Sequence, residues 1–221
     1  MPADPPRTLF PASRSGGVEG NEVLTAMTGA VLLVLLAVEG YTILRIGRLL
    51  TLHVFLGMLL LGPVTLKACS VIYRFARYYT GSGPYRRKGP PQPLLRVIGP
   101  VIVLLTACVF GSGIMLAVDG PGNGYGGGGP GGWLEIHRLS FIAWLFFMAI
   151  HVLTYVWRLP RLLASEARGV SLAAGGTRAR QVTEVLGGRG LRLALLIASL
   201  LAGLVIALLT VHLAGRWEAG F

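Results

Sequence analysis

Four residues in two apolar stretches share one spacing. His53 and Lys67 lie fourteen residues apart, and so do His137 and His151. Fourteen residues make four turns at about 3.5 residues per turn, so both members of a pair face the same side of a helix. At about 1.5 Å of rise per residue each pair spans roughly 21 Å, most of a hydrocarbon core about 30 Å thick. Imidazole nitrogens bind iron, and so does an amine that has lost its proton. Nitrogen ligands paired at two depths can hold two stacked haems, each gripped from both sides. Iron with two protein ligands has no open position, so it exchanges electrons with little rearrangement, whereas oxygen chemistry needs a vacancy. The spacing therefore predicts electron transfer across a membrane.

The elements that must position these residues are membrane spans. The chain of 221 residues is 53% hydrophobic and only 13% charged, where a soluble domain would carry about 25% charged residues. Its mean hydropathy is +0.68. Five segments are long and apolar enough to cross, at about Val23–Leu44, Leu50–Tyr73, Leu94–Val118, Trp133–Trp157 and Leu191–Leu213. The second is expected to run on through Arg74 and Arg77. The fold class is therefore all-α integral membrane, with a four-helix transmembrane haem bundle over 23–158. A flexible cytoplasmic tail precedes it over 1–22. A basic cytoplasmic connector over 159–190, with a short amphipathic helix near Gln181–Leu186, leads to a fifth transmembrane helix and outer C-terminus over 191–221. The first apolar stretch begins too late for a secretory signal, so it is read as a retained helix.

The net charge of +11 would fit nucleic acid if the cations lay on one surface among aromatic residues. Instead they cluster in loops, which is the pattern of membrane topology. Arg74, Arg77, Arg86, Arg87, Lys88 and Arg96 fall between the second and third spans. Arg158, Arg161, Arg168, Arg178, Arg180, Arg189 and Arg192 fall between the fourth and fifth. The remaining loops are poor in cations, and Gly120–Gly132 is a glycine-rich linker. The positive-inside rule places both termini accordingly: N-terminus cytoplasmic, C-terminus extracytoplasmic, in the inner (cytoplasmic) membrane of the cell. The second and fourth spans then run parallel. His53 and His137 share the outer level; Lys67 and His151 share the inner one.

At that depth an ionisable side chain is costly and needs a role or a partner. Lys67 must be neutral to bind iron; otherwise it snorkels to the inner interface or pairs with a haem propionate. Gly99 and Gly113 of the third span are again fourteen apart, and glycine lets a backbone approach a flat macrocycle closely. Small residues also serve ordinary helix packing in membranes. Arg45 and Arg138 outside, and Arg74 and Arg77 inside, are the candidate propionate partners. Glu39, Glu135 and His212 read as interfacial residues, with His212 the reserve ligand. Cys69 and Cys108 lie inside apolar segments, and no Cys-x-x-Cys-His is present, so the haems are expected to be non-covalent b type.

The runs HVFLGMLLLGPVTLK (53–67) and HRLSFIAWLFFMAIH (137–151) resemble helices B and D of the di-haem cytochrome b family, whose signature is a histidine pair with thirteen residues between. Gly99 and Gly113 resemble the glycines of that family's helix C. The likeness covers roughly residues 23–158. It implies two haem b groups, transmembrane electron transfer, often a quinone, and a redox partner subunit in the lipid bilayer. Lys67 stands where the family has its fourth histidine. The C-terminal half of quinol-oxidising cytochromes b, with its Pro-Glu-Trp-Tyr motif, has no counterpart here. The expectation is thus a stand-alone haem subunit of a respiratory oxidoreductase. Two alternatives remain: a self-sufficient transmembrane ferric or quinone reductase, and a non-haem transporter that uses Lys67 as its coupling site.

Overall fold

Every described element is helical. The computed structural model describes residues 18–87, 93–121, 131–158, 160, 164 and 179–218. Helix α1 spans Val18–Leu44, α2 Ile46–Tyr79, α3 Gly83–Arg87, α4 Pro93–Asp119, α5 Trp133–Tyr155, α6 Ala179–Thr210 and α7 Gly215–Glu218. Short 3-10 turns extend α5 over Val156–Arg158 and join α6 to α7 over Val211–Ala214. Five helices (α1, α2, α4, α5 and α6) are long and apolar enough to cross a membrane. The chain is an all-α, multi-pass membrane protein. Lipid explains its surface, where Val34, Leu104, Phe146, Leu153 and Leu209 are all exposed.

The helices form two groups. α2 packs closely on α1 and on α6, while α4 packs on α5; α2 and α4 meet only sparsely. The fifth span is thus the main partner of α2 rather than an appendage to a four-helix bundle. Its crossing explains the Gly62–Pro63 pair. Pro63 cannot donate to the Leu59 carbonyl one turn back, and that carbonyl lies where a side chain on Gly203 of α6 would begin. Reciprocally, a Cβ on Gly62 would fall on the Ser199 carbonyl of α6. Both positions must be glycine for the backbones to touch, the small-residue packing that membranes favour.

α1 and α2 are joined at Arg45 alone, with a non-helical Leu49 just beyond. So tight a joint fixes the hairpin register. α1 also starts earlier than expected: Val18–Glu22, assigned to the tail, are helical. Asn21 Nδ2 donates to the Ser70 carbonyl at 3.1 Å, and Glu22 lies 3.6 Å from Arg74. These contacts with α2 hold a polar turn that has no apolar pattern of its own. The helix expected at Gln181–Leu186 is the opening part of a continuous α6. The tail over 1–17, most of the glycine-rich linker, and most of the connector before Ala179 lie outside the described residues.

At one end, the Trp217 indole donates to the Leu116 carbonyl at 2.9 Å, and the Arg216 guanidinium donates to the Val118 carbonyl. The chain after α6 is thereby tied to the end of α4. Gly120, in the left-handed region at φ +69°, turns the chain beneath Arg216.

Candidate functional site

His53 and His137 face each other across the space between the two helix groups. Their ring centres are 6.4 Å apart and their planes nearly perpendicular, at 83°. A metal–nitrogen bond is about 2 Å and the nitrogen lies about 1 Å from its ring centre, so two imidazoles sharing a metal from opposite sides stand about 6 Å apart. The observed separation fits that arrangement.

Both rings are oriented through Nδ1. On His53, Nδ1 lies 2.9 Å from Glu39 Oε1 and 3.0 Å from Thr42 Oγ1, both on α1. On His137, Nδ1 lies 3.0 Å from the Val109 carbonyl and 3.1 Å from Ser112 Oγ, both on α4. A carboxylate and a carbonyl only accept, so each Nδ1 carries the proton. Nε2 is then the lone pair that each ring has to offer. A histidine tied in this way is the usual form of a metal ligand, because the second hydrogen bond fixes both tautomer and ring direction.

The Lys67–His151 level is built otherwise. Lys67 Nζ donates to the Thr25 carbonyl of α1 at 2.9 Å and rests against Gly29, where a Cβ would stand 2.8 Å from Nζ. Ser70 bridges the neighbourhood, donating to the Lys67 carbonyl at 2.9 Å and lying 2.9 Å from Thr25 Oγ1. Lys67 thus lies against its hairpin partner, and His151 is half-buried on α5.

The glycines divide likewise. Gly113 abuts the His137 ring: a Cβ there would stand 3.1 Å from Cε1. The room it makes is taken by the imidazole itself. Gly99 has nothing within 4 Å of where a side chain would begin, so its face is open. Of the candidate cations, Arg45, Arg77 and Arg138 are exposed, and Arg74 pairs with Glu22. His212 is exposed in the turn after α6. Glu135 holds the amide of Gly131 at the start of α5.

The partners of the histidines were not recognised in the sequence, although a signal existed. Glu39 and His53 each lie seven residues from Ile46, at the hairpin joint, and Thr25 and Lys67 each lie twenty-one from it. In an antiparallel hairpin, equal distances from the joint mean opposition. Trp144 carries a similar mark, being seven residues from both His137 and His151. Its indole donates to Thr106 Oγ1 at 2.9 Å, and Thr106 is itself midway between Gly99 and Gly113. This bond braces α4 against α5 halfway between the two levels. Ser112 also lines an open apolar groove of about 440 Å³ with Cys108, Met115, Trp133 and Ile136.

Among the described residues no three or more His, Cys, Asp or Glu side chains gather as a non-haem metal cluster. No family model, characterised protein or solved structure matches the chain.

Proposed function

We propose that the chain is a di-haem b-type cytochrome that carries electrons across the bilayer as the haem-bearing subunit of a respiratory oxidoreductase. The observation that carries this reading is the facing pair His53 and His137, 6.4 Å between ring centres, with each Nδ1 engaged. His53 and His137 would hold the outer haem; Lys67 and His151 would hold the inner one. A haem bound in this way supplies one-electron exchange between ferric and ferrous iron.

The chain's own residues do the rest. α1 and α4 aim the two outer imidazoles from opposite sides. The sparse meeting of α2 with α4 suits a flat group that would lie between the helix pairs. At the inner level the Lys67 amine must leave the Thr25 carbonyl to reach iron, and the open face at Gly99 gives room on α4. Arg45 and Arg138 outside, and Arg77 inside, are exposed and would meet propionates at the water-facing edges, and Arg74 would do so on leaving Glu22. The basic loops put the N-terminus in the cytoplasm and the C-terminus outside the inner membrane. A quinone, apolar but for its ring oxygens, would approach the outer level along the groove beside Ser112.

A visible spectrum of the purified, dithionite-reduced protein tests the proposal. The expected result is a b-type α-band, with pyridine haemochrome giving two haems per chain. Absence of the band sinks it and leaves the non-haem transporter reading in place.

A further inference from the structure

The two outer histidines are held by unlike acceptors: His53 by a carboxylate, His137 by a neutral peptide carbonyl. The carboxylate is deliberately housed. Glu39 is largely buried, its side chain 12% exposed. Thr42, fully buried one turn along α1, donates to the Glu39 carbonyl at 2.6 Å and lies 3.4 Å from Oε2. On the facing helix, Gly57 lies one turn after His53, and a Cβ there would stand 3.6 Å from Glu39 Oε1. A glutamate buried to this extent between helices is costly unless charge-assisted hydrogen bonds compensate it, and the close donor to its carboxylate is the His53 ring, the Thr42 hydroxyl proton being engaged by the Glu39 carbonyl.

We infer that Glu39 is a positioning residue that lends imidazolate character to His53 and thereby lowers the reduction potential of the outer haem. This rests on the haem reading above. A carboxylate that accepts the Nδ1 proton raises the basicity of the ring's other nitrogen. A more basic axial ligand stabilises ferric over ferrous iron, because ligand donation and hydrogen bonding around the ligand are what set haem potentials. The carbonyl of Val109 carries no charge and does this more weakly for His137. The outer iron therefore has one strong and one ordinary imidazole, and Glu39 is the residue that makes the difference.

The test is a redox titration of the purified full-length protein, followed at the α-band, with ferric electron paramagnetic resonance on the same samples. Glu39→Gln keeps the shape and can still accept the Nδ1 proton, but loses the charge. The expected result is retained haem, a changed low-spin ferric signal and a raised outer potential. The rise should be at least tenfold in the reduced-to-oxidised ratio at fixed ambient potential, about 59 mV for a one-electron couple. Glu39→Asp, whose carboxylate is one methylene further back, should raise it less. An unchanged potential and signal in Glu39→Gln with full haem content overturns the inference. Should Glu39→Gln lose its haem, Glu39→Asp decides: a raised potential supports the inference, an unchanged one overturns it. If the wild-type protein shows no haem spectrum, it is the underlying reading that fails, not the role of Glu39 within it.

Discussion

The two levels at which this chain offers nitrogen atoms sit on the same helices, yet they are prepared differently. At the His53–His137 level both side chains point into the space between helix groups, each steadied from behind by its own hairpin partner. At the Lys67–His151 level the hairpin partner is also present, but Thr25 holds the very nitrogen that a metal would need. Imidazole has two nitrogens, so one can be anchored while the other binds. A lysine has one, and the anchor competes with the metal. The comparison teaches that histidine is preorganised by its surroundings whereas lysine at an equivalent site is restrained by them.

The contrast can be broken or sharpened by substitution. The largest effect is expected from His137→Ala, which should abolish the outer haem and halve the haem per chain in a pyridine haemochrome assay; unchanged haem content would remove His137 from the ligand set. Next comes Lys67→Met, which deletes the amine and its bond to Thr25. It should shift the potential or spin state of the inner haem alone, read by redox titration and low-temperature spectra. If both haems keep their wild-type signals, Lys67 is only a packed cation. The smallest effects separate the glycines. Gly113→Ala presses a methyl group on the His137 ring and should perturb the outer ferric signal even before any loss of haem. Gly99→Ala meets no atom of a neighbouring helix within 4 Å, but Pro100 follows it inside α4 and crowds a Cβ on the preceding helical residue, so thermal stability without haem should fall slightly rather than rise. A drop in inner haem content in that variant would mark the open face as the macrocycle's side; an unaltered content would assign it to lipid.

Much of the architecture could be read in advance because a bilayer asks for so little: long apolar runs, polar joints and cations at the joints. The five spans followed from length and hydropathy, and the opposition of His53 to His137 from spacing together with the cations of the loops. What escaped was helix rotation. Glu39 looked like an interfacial acid because its position was judged by depth; only the one-residue joint at Arg45 turns it toward His53. Gly113 was correctly placed at the His137 level, but depth could not distinguish a macrocycle from the imidazole ring that lies on it. The first turn of α1 was missed for the opposite reason, since Asn21 and Glu22 are polar and gain their helix from partners on α2. The role of α6 was invisible as well, because an apolar stretch states that it spans and not which neighbour it touches.

The contact between Gly62 and Gly203 also bears on how the protein is made. Ribosomes deliver spans in chain order, so α2 enters the bilayer long before α6 exists. Until then the Leu59 carbonyl, deprived of its helical donor by Pro63, faces hydrocarbon without its eventual neighbour, a costly exposure in lipid. The α1–α2 hairpin must therefore wait, half-finished, while α4 and α5 are inserted. A helix synthesised well after the second is the one whose backbone comes to cover that carbonyl, at Gly203.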